Sequence, residues 1–391
     1  MNVALFSDTY PPEINGVATS TFNLRKTLVA HGDNCLVVTT NPFSNKVTCE
    51  DGVLRLPGVL LKKLYGYRMS GFYSKQAMRY IEKFKPDIVH CQTDAGVGIF
   101  GTIVAGKFHC GMVYTFHTMV EDYAYYFTHG HFDRVARHVI RFYFKGQSTR
   151  FGAFIAPSEK IKDYLRSIQI DSNVAVIPTG IELDRFSPKN KDPKDVVALK
   201  QKFGIAPDDF VLLSLGRIAK EKSIDVLLRG YAKFLEMPQR VNTKFLIVGW
   251  GPAEKELKEL SSRLGIDDHV IFAGPCKPDE TQRYYHLGDC FASASITETQ
   301  GLTFMEAMAA ELPVLARFDD NLVGTIKDGE TGFFFKNEQD FADHLSFLLD
   351  LKEEKRKKII DSALRAIDPY SMERFYQNAK EVYTRVWKSN W

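Results

Sequence analysis

The chain has 391 residues, which is more than one ordinary hydrophobic core occupies, so we expect two domains of similar size. Its composition, 45% hydrophobic and 25% charged, is that of a globular protein, and a formal net charge of only +3 argues against nucleic acid as a partner. The longest mainly apolar stretch, residues 97–106, is about half of what a membrane-spanning helix needs, so any membrane contact must be peripheral.

Short apolar runs alternate with helical segments along the first half of the chain, which is typical of a parallel α/β sheet. A strand is predicted first, then a loop containing Pro11, Pro12 and Gly16, and then a helix over residues 17–30. The predicted strands of this half are residues 2–7, 35–39, 88–91, 113–115, 154–156 and 174–177. They are apolar without alternation, as buried strands of a doubly wound sheet should be.

The same pattern restarts after a polar, proline-bearing connection at residues 187–194. The second half has predicted strands at residues 211–215, 244–248, 270–272, 290–294, 313–316 and 332–335, and helices at 224–234 and 253–264. We therefore predict two doubly wound domains, residues 1–180 and 181–370. Two such domains in series would leave a cleft where the carboxyl ends of their strands face each other, and ligands bind there.

A final helix is predicted near the C-terminus, within residues 371–391. Phe375, Val382, Tyr383 and Trp387 form its apolar stripe. The pattern leaves open on which domain this helix packs, and we assign it to the first.

Two candidate site residues lie in the first half. Gly16 precedes a helix, where a glycine lets the backbone approach a phosphate or a sugar and the helix offers N–H groups. A tight turn without a ligand would give the same pattern. His117 follows the predicted strand at 113–115, and this position favours a functional role, although a lone histidine is often structural.

Two glycine-bearing turns follow strands of the second half. In the first, Arg217 comes directly after Gly216 and Lys222 lies five residues further on, a pattern that suits a departing diphosphate. An exposed basic turn is the alternative. In the second, Gly249 and Gly251 resemble half of a dinucleotide-binding fingerprint, and a structural turn explains them equally well.

A pair of carboxylates, Glu298 and Glu306, is separated by seven residues that include Gly301. Glu306 falls in an otherwise apolar stretch that predicts a helix. Because a buried carboxylate needs a partner, we expect a ligand with hydroxyl donors, such as the diol of a ribose or a hexose. The alternative is a Glu306 that faces solvent. No Asp-x-Asp occurs in the chain, so we expect no metal and no other cofactor.

Together these segments resemble the family 4 glycosyltransferases, which are retaining enzymes, over nearly the whole chain. The most specific element is Glu298 with Glu306, in order with the Gly-Arg…Lys and Val-Gly-x-Gly segments. The resemblance implies an α/β protein of the GT-B fold, with two Rossmann-like domains facing a central cleft. The first domain would bind the acceptor and the second the nucleotide sugar.

The resemblance also implies roles for individual residues. Arg217 and Lys222 would hold the donor diphosphate, and Glu306 the ribose hydroxyls. Glu298 would hold hydroxyls of the transferred sugar, and His117 would contact that sugar from the acceptor side. The expected catalytic residues are His117, Arg217, Lys222 and Glu298, and the expected substrate-binding residues are Gly16, Arg217, Lys222, Gly249, Gly251, Glu298, Gly301, Leu302, Thr303 and Glu306.

Within the family the chain is similar to the diacylglycerol glucosyltransferases of bacterial membranes, at residues 14–20, 117–123, 177–181 and 297–303. Gln300 stands where an aromatic residue is common in the family and fits this branch. The resemblance implies glucose transfer from UDP-glucose to diacylglycerol with an α-linkage. The alternatives are a soluble acceptor (a sugar phosphate, inositol or an organic acid) and a nucleotide-sugar-binding protein without turnover.

A basic and aromatic segment, residues 123–150, supports a lipid acceptor. Its expected membrane-binding residues are Arg134, Arg137, Arg141 and Lys145. The three arginines share a helical face, which suits an anionic membrane surface, although a solvated amphipathic helix is the alternative. Residues 1–180 contain 20 Lys and Arg against 14 Asp and Glu. Scattered cysteines and an early Asp8 favour a cytoplasmic protein, peripheral on the inner face of the cell membrane.

Overall fold

A computed structural model describes residues 1–13, 15–60, 68–117, 151–170, 173–238, 241–295, 301–320 and 322–389. The chain forms two compact units. The first contains Met1–Gly180 together with Met372–Trp391, and the second contains Ile181–Ser371.

A mainly parallel sheet organises the first unit. The described strands are β1 (Asn2–Phe6), β2 (Asn34–Thr40), β3 (Thr48–Glu50), β4 (Val53–Leu56), β5 (Gly58–Leu60), β6 (Arg68–Ser70), β7 (Ile88–Cys91), β8 (Gly111–Thr115), β9 (Ala153–Ala156) and β10 (Val174–Val176). Eight strands pair in the order β10-β9-β8-β7-β1-β2-β4-β3, and only β3 runs antiparallel to its neighbour. Strands β5 and β6 form a separate antiparallel pair.

Helices cover both faces of this sheet. They are α1 (Gly16–Ala30), α2 (Lys75–Phe84), α3 (Gly96–Phe108) and α4 (Glu159–Ser167). Successive residues of β1 face opposite apolar layers, so that Phe6 lies in one cluster with Phe100 and Leu5 in the other with Leu28. A strand buried on both faces must be apolar at every position, which is the pattern that the sequence shows.

The second unit contains a fully parallel sheet of β11 (Phe210–Leu215), β12 (Thr243–Val248), β13 (Val270–Gly274), β14 (Cys290–Ser293), β15 (Val314–Arg317) and β16 (Phe333–Phe335). Its helices are α5 (Leu183–Phe186), α6 (Pro193–Phe203), α7 (Ile224–Leu235), α8 (Glu254–Leu264), α9 (Thr281–Tyr285), α10 (Leu302–Ala309), α11 (Glu338–Leu349) and α12 (Glu353–Ile367). The strand order is β13-β12-β11-β14-β15-β16. It reverses between β11 and β14, and ligands of doubly wound sheets bind where such a reversal occurs.

The C-terminal helix α13 (Met372–Ser389) belongs to the first unit. Its buried residues are Phe375, Ala379, Val382, Tyr383 and Val386, and they share an apolar cluster with β1. A side chain at Gly180 would come within 2.6 Å of Phe375, so this packing requires a glycine there. Trp387, the last residue of the predicted apolar stripe, is 38% exposed. Among the described helices, none has both the length and the apolar character that crossing a membrane requires.

Candidate functional site

The Gly-Arg…Lys segment forms a turn at the carboxyl end of β11. Gly216 and Arg217 follow the strand, and Lys222 ends a 3-10 turn just before α7. The Arg217 side chain, 48% exposed, forms an ion pair with Glu221, four residues further along the chain. A guanidinium has five N–H donors in a planar fork, a geometry that suits phosphate as well as carboxylate.

Gly249 and Gly251 are explained by backbone packing between two turns. A side chain at Gly249 would lie 1.8 Å from the carbonyl oxygen of Gly216, and one at Gly251 would lie 2.1 Å from that of Ile218. The Ile218 amide also donates to the Trp250 carbonyl oxygen at 3.0 Å. The two glycines therefore let the turn after β12 hold the turn that carries Arg217. Their predicted contact with substrate stays a prediction.

Glu306 lies on α10 and has a partner within the protein. The buried Tyr285 hydroxyl, at the end of α9, donates a hydrogen bond of 2.8 Å to Oε2 of Glu306. Burial raises the pKa of Glu306 to about 7, and the hydrogen bond from Tyr285 and the charge of Arg185 partly oppose that rise. The carboxylate is half-buried, so the expectation that it does not simply face solvent fits its surroundings.

Arg185 binds the helix that carries Tyr285, the partner of this carboxylate. Its guanidinium, on α5, donates to the side-chain oxygen of Gln282 at 2.7 Å and to the hydroxyl of Thr281 at 2.9 Å. Both acceptors lie on the short helix α9, which ends at Tyr285. Arg185 therefore anchors the helix from which the Tyr285 hydroxyl reaches Glu306.

The first turn of α10 carries Leu302 and Thr303 directly after Gly301. Gly301 has φ +69° and is the N-cap residue of the helix. The amides at such a helix start can bind an anion or a sugar oxygen. Glu298 lies outside the described residues, so its predicted contact with the transferred sugar stays a prediction.

A test of the Glu306 site is the change Tyr285→Phe, which removes only the hydroxyl. Since that hydroxyl stabilises the ionised carboxylate, its loss should raise the pKa of Glu306 further. If ionised Glu306 accepts the ribose hydroxyls, the affinity for UDP-glucose should rise with pH through about 7 in the wild type. In the variant this rise should move to higher pH, and affinity at pH 7 should fall about tenfold.

Calorimetric titration with UDP-glucose between pH 6 and 8.5 measures this effect. Tyr231→Phe is the matched control, because Tyr231 is also fully buried in the second unit and donates or accepts at Thr243, 2.8 Å away. Glu306→Gln should make the profile flat over this range. Equal profiles for wild type and Tyr285→Phe would contradict the assignment of Glu306.

In the first unit, Gly16 begins α1. The side chain of Asn15 caps this helix by accepting from the Ala18 amide at 2.8 Å. A side chain built at Gly16 would meet nothing within 4 Å, so packing against the described residues does not explain the glycine. Open space beside a helix start is compatible with the predicted approach of a ligand.

His117 lies at the carboxyl end of β8 and takes part in a chain of polar contacts. Its Nε2 is 2.6 Å from the side-chain oxygen of Gln92, which follows the neighbouring strand β7. The Gln92 amide nitrogen is 3.1 Å from Nε2 of His90, whose Nδ1 is 2.7 Å from the Tyr383 hydroxyl. Burial lowers the pKa of His117 to about 4. At neutral pH its ring is therefore uncharged.

The predicted membrane-binding residues Arg134, Arg137, Arg141 and Lys145 lie outside the described residues. Among the residues that are described, no group of three or more His, Cys, Asp or Glu side chains could hold a metal ion.

The sequence analysis did not single out Tyr285, Gln92, His90 or Arg185. Two of them had a usable signal, since His90 interrupts an apolar strand and Gln92 is the first residue after that strand. Tyr285 and Arg185 had none, because they reach Glu306 and its support from distant positions in the chain.

Comparison with known proteins finds relatives over nearly the whole chain. Residues 14–185 match the family model described as Glycosyltransferase Family 4, and residues 195–365 match that of Glycosyl transferases group 1. An alpha-monoglucosyldiacylglycerol synthase of Acholeplasma laidlawii is 33% identical over 98% of this chain and 96% of its own. One from Streptococcus pneumoniae is 32% identical over 100% of this chain and 87% of its own.

A solved structure shares the fold. The crystal structure of Anabaena HepE in complex with UDP-glucose superimposes with a TM-score of 0.73 and 18% identity, over 98% of this chain and 99% of that one. This likeness and the two Rossmann-like units confirm the predicted GT-B fold. By its full-length similarity to enzymes that transfer sugars, this protein is a hexosyltransferase and belongs to glycosyltransferase family 4.

Proposed function

We propose that this glycosyltransferase transfers glucose from UDP-glucose to diacylglycerol and forms an α-glucosyl lipid with retention of configuration. The observation that carries the proposal is the similarity to two alpha-monoglucosyldiacylglycerol synthases, which extends over nearly the entire chain. HepE, which has the same fold, was crystallised with UDP-glucose.

In this proposal the second unit binds the donor. Arg217 and Lys222 lie at the carboxyl end of β11, and Gly301 begins α10 shortly after the neighbouring strand β14. A diphosphate at this edge would meet a guanidinium, an ammonium and the N–H groups of a helix start. Glu306, held by Tyr285, would accept the ribose hydroxyls. Glu298 would bind hydroxyls of the glucose.

In the proposed reaction the acceptor hydroxyl attacks the anomeric carbon from the face that the diphosphate leaves. The bond from that carbon to the phosphate oxygen breaks, and the bond to the acceptor oxygen forms on the same face. The departing phosphate takes the acceptor's proton. Positive charge from Arg217 and Lys222 stabilises the charge that develops on UDP, so the proposal requires no divalent metal.

The acceptor side is proposed for the first unit. His117 would contact the glucose there, and Gly16 would let the loop before α1 approach the phosphate. The basic and aromatic segment at residues 123–150 would place the protein on an anionic membrane, on the inner face of the cell membrane.

The experiment is a transfer assay with labelled nucleotide sugars and two classes of acceptor. We expect label from UDP-glucose in diacylglycerol presented in anionic vesicles, and an α-anomeric proton signal in the product. Sugar phosphates, inositol and organic acids form the second class, and transfer to one of them alone would replace the lipid acceptor by a soluble one. Excess EDTA should leave the rate unchanged. A loss restored specifically by Mg²⁺ or Mn²⁺ would show that the diphosphate is metal-bound.

A further inference from the structure

We propose that Gln92 is a positioning residue that fixes the tautomer of His117. It does so by accepting a hydrogen bond from Nε2–H, which leaves Nδ1 of His117 as the acceptor atom of the ring. The inference deepens the proposed function, since it concerns how His117 would meet a sugar hydroxyl.

The sheet places the two side chains next to each other. Strands β7 and β8 are parallel neighbours, and Gln92 and His117 lie beyond their carboxyl ends. Both loops are held by the backbone, because the Gln92 amide donates to Phe6 at 2.7 Å and the Phe116 amide donates to Ile155 at 3.0 Å. The contact of 2.6 Å between Gln92 and His117 therefore joins two well-anchored positions.

The remaining contacts agree with this orientation of the Gln92 side chain. Its carbonyl oxygen faces His117 and accepts, while its NH₂ group donates to Nε2 of His90. The Thr115 hydroxyl, 2.7 Å from the same Nε2, donates to it as well in this arrangement. His90 then carries its hydrogen on Nδ1 and donates it to the Tyr383 hydroxyl. In this arrangement His90 and His117 each carry hydrogen on one ring nitrogen only, as neutral histidines require. The reversed amide would give His117 the opposite tautomer.

Burial makes this order rigid. Gln92, His90 and Tyr383 are at most 2% exposed, whereas His117, the last residue in this series of hydrogen bonds, is half-buried. Buried polar groups must keep their partners, so reversing the Gln92 amide would require the hydrogens on His90 and His117 to rearrange with it. The Tyr383 end lies on α13, so the C-terminal helix is part of the support.

The chemical consequence is a restricted role for His117. A neutral ring that donates through Nε2 to Gln92 can accept a hydrogen bond from a substrate hydroxyl at Nδ1. It cannot donate one from that atom. Gln92 thereby selects a hydroxyl donor, and its effect should appear in turnover more than in the binding of UDP by the other unit.

The experiment uses the full chain labelled with ¹⁵N-histidine, and His117 signals are identified by their loss in His117→Asn. Two-bond ¹H–¹⁵N spectra report which ring nitrogen carries hydrogen. The wild type should show the Nε2–H tautomer, and Gln92→Leu should show an average of both, with kcat about tenfold lower. Gln92→Glu keeps an acceptor oxygen for His117 and should keep hydrogen on its Nε2, but it loses the donor to His90 and should perturb the His90 signals. If Gln92 had only a structural role, the protein should tolerate Gln92→Leu better than Gln92→Glu, because a buried carboxylate is costly.

Two results would overturn the inference: an Nδ1–H tautomer in the wild type, or an unchanged His117 signal in Gln92→Leu. If Gln92→Leu does not fold, Tyr383→Phe tests the far end of the chain, and it should perturb the His90 signals first and those of His117 less. The tautomer is read without turnover. If the protein transfers no glucose, the proposed function is refuted, and the ¹⁵N spectra still test the role of Gln92.

Discussion

Replacing Arg217 or Lys222 with alanine should lower kcat by about 100-fold or more, with a much smaller change in the KM for the acceptor. Charge grows on the diphosphate as its bond to glucose breaks, so the attraction of a fixed cation is strongest in the transition state. Glu221 forms an ion pair with Arg217, and the turn at Gly249 packs against the backbone of the preceding residue, Gly216.

The matched control lies in the same turn. Lys220 is 83% exposed and is 3.7 Å from Glu256, so Lys220→Ala removes a cation without touching the proposed diphosphate site. Steady-state kinetics with saturating UDP-glucose should show a near wild-type kcat for this variant. Wild-type turnover in Arg217→Ala or Lys222→Ala would refute the assignment of these two residues.

The regular part of the fold was predictable because it depends on local pattern. Strand β7 was predicted with its observed limits, residues 88–91, and β11, β12 and β14 within one residue at each end. Strands buried on both faces leave a short continuous apolar run, and its length and the turn residues around it distinguish it from a helix. Strands β3 to β6 were missed because they are short, and in β4 the polar Arg55 interrupts the apolar pattern. Strand β3 lies at the edge of the main sheet, and β5 and β6 lie outside it.

The candidate site divides in the same way. Arg217, Lys222 and Glu306 follow strands or glycine turns, so their spacing in the chain carries the signal. The partner of Glu306 does not, because Tyr285 reaches it from another helix, 21 residues away. The sequence analysis expected a ligand to compensate the buried carboxylate, whereas the Tyr285 hydroxyl already does so in part. Gly249 and Gly251 show the opposite case, since their backbone contacts explain glycine without any ligand.

The triple change of Arg134, Arg137 and Arg141 to glutamate should weaken binding to anionic vesicles by at least about 100-fold at low salt. Each basic residue near such a surface contributes about 1 kcal/mol, and the attraction fades beyond a Debye length of about 8 Å at physiological salt. Reversing three charges removes that attraction and adds repulsion. These arginines lie outside the described residues, so the expectation rests on their spacing of three and four positions and the aromatic residues around them.

Co-sedimentation with vesicles of varied anionic content measures the effect, alongside UDP affinity by calorimetry. The matched control is the triple change of Lys355, Lys357 and Lys358 to glutamate, which makes the same change in net charge on exposed positions of α12 in the second unit. The control should sediment like the wild type, and both variants should keep their affinity for UDP, because the proposed donor residues are elsewhere. If the arginine variant also sediments like the wild type, residues 123–150 do not dock the protein on a membrane. A wild type that ignores anionic vesicles would favour a soluble acceptor, since a diacylglycerol substrate can be reached only at a lipid surface.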